Sequence, residues 1–153
     1  MFLMSGGSLP QPTRSPRPLD MLLGRWEMVG SHPAFTSEAR GTSSFEWLTE
    51  GALLKWHFNW DKPGPPTAVS VIGGDDSDDA YSVLYADERG VRRVYRMTLD
   101  GGLWRMSRDS EGFSQRMTGT FNADGTRIDV RWELSRDGST WTPDLNVIYS
   151  RVR

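Results

Sequence analysis

Three polar side chains, Arg93, Arg108 and Gln115, fall on strand positions that otherwise carry aromatic residues and methionine. In "RRVYRMTLDGGLWRMSRD" (92–109), a tight turn at Asp100-Gly101 would pair Leu99 with Gly102, Met97 with Trp104 and Tyr95 with Met106. Arg93 and Arg108 then become direct neighbours on the inward face, and a turn pairing Asp87 with Val91 sets Tyr85 beside Arg93. An unpaired guanidinium inside a protein is costly to desolvate, and two adjacent ones also repel. Such a pair persists if it reaches water, meets carboxylates or receives an anion, and the planar arginine fork binds carboxylate or phosphate bidentately. The expected chemistry is an anion clamp built from Arg93, Arg108, Gln115, Tyr85 and Tyr95, with Trp56, Phe58, Trp104 and Met106 along an apolar tail. The competing explanation is that the arginines lay their stems on aromatics and keep their heads in water, with Asp109 or Glu111 as partners.

The same register stacks Arg96, Arg105, Arg116 and Arg131 in one outward row across four strands, with Asp144 ending the row on the last strand. Like charges directly opposite each other destabilise a sheet. The row therefore reads either as a screened ladder, with Asp129 and Glu133 on its diagonals, or as a stripe for an anionic partner. It lacks interleaved exposed aromatics, which argues against base-reading of nucleic acid.

These positions depend on ten strands, placed at roughly 25–31, 38–48, 51–60, 67–73, 79–86, 91–99, 102–108, 113–121, 126–135 and 140–152. Turn signals such as "DERG", "NADG" and "RDGS" separate them, and no helical stretch intervenes after "LDMLLG" (19–24), a short helical segment. Hairpin pairings of Arg108 with Phe113, Phe121 with Thr126, Leu134 with Trp141 and Phe45 with Leu54 each keep apolar residues on a common face. That inward face also includes Val69, Val71, Tyr81, Val83, Trp132 and Val130, and its continuity predicts an all-β, closed, up-and-down antiparallel barrel. Residues 1–18 read as a flexible Pro/Ser-rich tail and 19–153 as the barrel domain.

The 153 residues carry a net charge of −2, so overall charge does not mark a polyanion binder. The absence of cysteine excludes disulfides, thiolate metal sites and cysteine nucleophiles. "DDSDDA" (75–80) begins like a calcium loop, but Ala80 stands at the required glycine and Ala86 at the closing glutamate, so no metal site is expected. There is no nucleophile elbow, phosphate loop or dinucleotide fingerprint. No run approaches the roughly 20 apolar residues of a membrane span, and the start has no basic leader, so a cytoplasmic location without a transmembrane segment is expected.

"LLGRWEMVG" (22–30) resembles the Gly-x-Trp opening of the calycin superfamily, the lipocalin, nitrobindin-like and fatty-acid-binding-like barrels. "FEWL..GALL" and "GTFNADG…WELSRDGSTW" resemble a bacterial lipocalin-like family of unknown function. The resemblance covers about residues 19–152 and implies a small-molecule pocket at one barrel end, with Trp26 packing beneath Arg151 at the other. Haem-binding nitrobindins carry a late axial histidine, whereas "WTPDLNVIYSRVR" has none. His57 reads as outward and His32 as a rim residue, so no cofactor, haem included, is expected.

The resulting expectation is a barrel that binds a small, mainly hydrophobic molecule with an anionic group. Two alternatives compete with it. One is an isomerase- or cyclase-type enzyme using Tyr81, Tyr85, Tyr95 or His32 in the same cavity, and the other an interaction module acting through the outer arginine row.

Overall fold

A computed structural model describes residues 17–153; most of the tail expected over 1–18 lies outside the described residues. A 3₁₀ helix, Pro18–Leu22, leads into β1 (Gly24–Ser31), β2 (Ala39–Thr49), β3 (Leu53–Trp60), β4 (Ala68–Gly74) and β5 (Tyr81–Asp87). The chain continues through β6 (Arg92–Asp100), β7 (Leu103–Arg108), β8 (Ser114–Phe121), β9 (Arg127–Ser135) and β10 (Thr142–Arg151). Each strand pairs antiparallel with its sequence neighbour, and β1 pairs with β10, closing the barrel. Among the described residues no helix is long and apolar enough to cross a membrane.

Strand parity follows the alternation of the sequence, but the pairings differ from those expected. Asp100 pairs with Leu103, so the β6–β7 turn is Gly101-Gly102 rather than Asp100-Gly101. Both glycines take positive φ (+57° and +78°), the conformation that the tight primed turns of hairpins demand at their central residues. Leu99 therefore faces Trp104, and Met97 faces Met106. The next hairpins slide in the same sense. Arg108 faces Gln115, Phe121 faces Ile128, and Phe45 faces Trp56. A slide of two residues leaves every side chain on its own face, which is why alternation alone does not detect it. Across the 88–90 turn the expected register holds, with Tyr85 opposite Arg93.

The slide disperses the outer arginine row. Arg96 faces Ser107, Arg105 lies between Thr98 and Thr118, Arg116 lies between Ser107 and Glu133, and Arg131 lies between Thr118 and Asn146. Arg116 pairs with the Glu133 carboxylate at 3.0 Å and stacks over Trp141, while Arg96 approaches Asp78 at 3.4 Å. Hydroxyls and carboxylates stand where the expected row had guanidinium against guanidinium, so no continuous cationic stripe forms.

A second correction concerns β4. Val69 points out and is 43% exposed, with Val71 on the same side, while Ala68, Ser70 and Ile72 are buried. "AVSVI" offers apolar residues at both parities, and packing decides between them. Trp56 faces Ser70 and Phe58 faces Ala68, so the small residues make room for the large rings.

The closed end is filled by side chains, with Trp26, Leu54, Ile72, Met97, Trp104 and Ile128 fully buried. Trp26 donates its indole N–H to the Leu22 carbonyl (2.9 Å), and the Arg151 guanidinium carbon lies 4.1 Å from its ring centroid. Arg151 donates to the carbonyls of Met21 (2.7 Å), Leu23 and Gly125 (3.3 Å), so one side chain ties the 3₁₀ segment and the β8–β9 turn to the last strand. Replacing Arg151 by methionine keeps the apolar stem but orphans these carbonyls, and is expected to cost about 2–3 kcal/mol in urea unfolding with an unchanged slope. A loss below about 0.5 kcal/mol would show that the packing of Trp26 alone secures this end.

Candidate functional site

Opposite the Trp26 end, the barrel opens between the 32–38, 61–67, 88–91, 109–113 and 136–141 connections. A cavity of about 770 Å³ begins there, within the roughly 300–1,000 Å³ range of small-molecule sites. Its walls are largely apolar, with Met28, Trp56, Phe58, Trp60, Met106 and Trp132 among them. Trp56 is fixed by stacking on Phe45 (centroids 5.2 Å apart) and by donating its indole N–H to the Ser43 hydroxyl at 2.9 Å. The ring is therefore held before any ligand arrives.

Among the expected clamp residues, Arg93, Gln115, Tyr85 and Tyr95 line this cavity, as do Trp56, Phe58 and Met106. Gln115, buried at 7% exposure, is the centre of the polar wall. Its side-chain oxygen accepts from the Tyr95 hydroxyl (2.9 Å) and from Nη1 of Arg93 (3.2 Å). With its oxygen occupied twice, the amide NH₂ of Gln115 remains as a donor. The Arg93 guanidinium carbon also lies 5.1 Å from the Phe113 ring centroid.

Two expected members are elsewhere. Arg108 does not face Arg93, because the β6–β7 register pairs Arg96 with Ser107 and so moves Arg108 past Arg93, while on its other side Arg108 faces Gln115 of β8. Its Nη1 donates to the Phe113 carbonyl (3.3 Å), and the residue borders a shallow outer depression with Leu84, Arg92 and Arg96. Trp104 is fully buried below the cavity, against Phe45, Trp56 and Tyr149. Only one of the two expected arginines therefore lines the cavity.

Three groups at the mouth were not placed in the clamp by sequence. Arg89 lines the cavity and grips Asp87, with Nη2 at 2.7 Å from Oδ2; Asp87 also accepts from the Tyr85 hydroxyl at 2.8 Å. Asp144, expected outward at the end of the arginine row, lines the cavity. His32 joins it, with Nε2 at 3.6 Å from Asp144 Oδ1, while its Nδ1 accepts the Ala34 N–H at 2.9 Å. That bond leaves the ring proton on Nε2, facing the carboxylate. His32 Nδ1 is taken by the Ala34 amide and its Nε2 is turned toward Asp144, and His57, on the outward parity of β3, does not line the cavity.

The sequence does carry a signal for Asp144. Pro143 lies inside a strand, where proline marks an edge or a bulge. Pairing indeed shifts between Pro143 and Asn146.

Burial pushes the Tyr85, Tyr95 and Tyr81 phenols above their ordinary value of 10, so they remain protonated donors near neutral pH. The Arg89 fork, helped by Tyr85 and by the Arg89 and Val91 amides, holds the Asp87 carboxyl well below its ordinary 3.8. A depressed folded-state value means that this stabilisation is complete above the unfolded value and is lost as pH falls through the folded one. Asp87→Ala is expected to lower Tm by several degrees at pH 7, with the gap to wild type narrowing below about pH 4. A pH-independent gap, read by circular dichroism melts, would assign the loss to packing instead of charge.

No protein-family model and no curated protein matches the chain. Among solved structures, the crystal structure of Rv2717c from M. tuberculosis is similar, with a TM-score of 0.68 at 13% identity, covering 91% of this chain and 99% of that one. At that identity the likeness establishes a shared barrel fold.

Proposed function

We propose that this barrel binds a small, mainly hydrophobic molecule whose anionic group is held at Arg93. The observation that carries the reading is the state of that guanidinium. It borders an apolar cavity, its hydrogen-bond partner is the neutral oxygen of Gln115, and among the described residues no carboxylate lies within salt-bridge distance of it. A cation so placed has capacity for a carboxylate, and the Gln115 amide adds a second donor beside it. Fatty-acid-type molecules combine such a head with a tail suited to Trp56, Phe58 and Met106, and methionine adapts to the shape of the tail.

Acid–base chemistry has weaker support. The phenols of half-buried Tyr85 and buried Tyr95 donate to Asp87 and Gln115, respectively, and are poor proton acceptors while protonated.

Because Trp56, Trp60 and Trp132 line the cavity, occupancy is readable by tryptophan fluorescence. Dodecanoic acid is expected to quench saturably, with its methyl ester binding at least about tenfold more weakly, as losing one charge-assisted hydrogen bond predicts. Arg93→Ala should weaken the acid by about 10- to 100-fold and leave the ester nearly unchanged. Equal weakening of both would remove the anion from the reading, and no saturable quenching by either would overturn the hydrophobic site.

A further inference from the structure

The polar end of the cavity holds an acceptor as well as a cation. Between Pro143, opposite Glu133, and Asn146, opposite Arg131, two residues of β10 stand against the single residue Trp132 of β9. This is a β-bulge, a device that re-aims a side chain without altering the rest of the strand. Its effect here is that Asp144 and Leu145, consecutive residues that regular pleating would send to opposite faces, both line the cavity.

A carboxylate in such a place is expensive unless donors reach it. The Asp144 side chain is only 29% exposed, and the basic group nearest to it, His32 Nε2, lies at 3.6 Å, beyond hydrogen-bond distance. Among the described residues no donor makes a hydrogen bond to it. Burial raises its carboxyl above the ordinary 3.8, while His32 and Arg93 act in the opposite direction. The cavity lining thus offers donors from Arg93 and Gln115 and, within the same cavity, an acceptor lacking a donor.

A plain fatty acid satisfies only the first half and brings its own charge toward Asp144. We infer that the ligand carries a hydrogen-bond donor close to its acid group, a hydroxyl or an amine on a carbon near the carboxylate, and that Asp144 accepts it. The substrate class is then a substituted amphipathic acid, and Asp144 is the residue that selects it. This inference rests on the reading of the cavity as an acid-binding site.

The test compares dodecanoate with 2- and 3-hydroxydodecanoate and 3-aminododecanoate by fluorescence titration, in the wild type and in Asp144→Ala. One bond to a charged acceptor predicts that at least one substituted acid binds the wild type about tenfold more tightly than dodecanoate. In Asp144→Ala that advantage should vanish, while dodecanoate binds as well or better because the like charge is gone. The hydroxy and amino arms separate the two donor types. If dodecanoate binds the wild type and no substituted acid binds more tightly, the role of Asp144 is overturned and the acid site stands. If no acid binds at all, the acid site itself fails and this inference with it. The wild-type comparison decides the matter even if Asp144→Ala does not fold.

Discussion

Closure of the sheet by β1 against β10 is the constraint on which the rest depends. A ten-strand meander left open would present two bare edges and a wet inner face of aromatic residues. Six consecutive pairs, from Trp26↔Arg151 to Ser31↔Asn146, form the seam. Its lower end is anchored where Arg151 covers Trp26 and bonds the backbone on both sides. Its upper end is where the site begins. Ser31↔Asn146 is the last pair of the seam, so His32 leaves the sheet at the height where β10 bulges, and the bulge brings Asp144 to meet it. The closing seam and the polar end of the cavity are therefore parts of the same strand geometry.

Side-chain size then divides the barrel interior along its axis. Below, Trp104 meets Phe45, Trp56 and Tyr149 with centroids 5.3–6.1 Å apart and fills the cross-section. The cost of that packing is visible, since the buried Trp104 indole N–H has no acceptor, a loss of about 1–3 kcal/mol that the surrounding contacts must exceed. Above, the inward positions include Gly30, Ala39 and Gly41. A Cβ on Gly41 would overlap the Asn59 carbonyl, so this glycine is required by the close approach of β3. Gly30 likewise makes room for a neighbour, since a Cβ there would meet the Trp60 ring at 2.8 Å.

The architecture was legible in the sequence because period-two alternation and turn residues carry it directly. Strand number, the all-β class, barrel closure and the inward parity of Arg93, Tyr95, Met106 and Gln115 all follow from those two signals. Hairpin register was not legible in the same way. Sliding a strand by two residues preserves every face, so only turn geometry decides it, and Gly101-Gly102 outcompetes Asp100-Gly101 because both central positions need positive φ. Asp144 was hidden for a different reason. A bulge breaks the alternation that parity arguments assume, and Pro143 is its one local mark.

That two-residue slide changes the electrostatics more than the shape. On the outside it interleaves arginine with serine, threonine and glutamate, replacing repulsion along a row with separate pairs such as Arg116–Glu133. Inside it withdraws Arg108 from Arg93, and the bulge separately adds Asp144 to the cavity lining. Two adjacent guanidinium groups would attract any anion and would depend on charge alone. On the proposed reading, one arginine held by a glutamine, in the same cavity as a carboxylate short of donors, would instead favour a head group with donors and acceptors in a particular arrangement, because a mismatched ligand would cover a polar atom and leave it unpaired. Discrimination of this kind comes from the penalty for the wrong ligand more than from attraction to the right one, and it depends on the protein's polar wall staying fixed. The Tyr95–Gln115–Arg93 chain supplies that rigidity on one side, and the seam between β1 and β10 supplies it on the other.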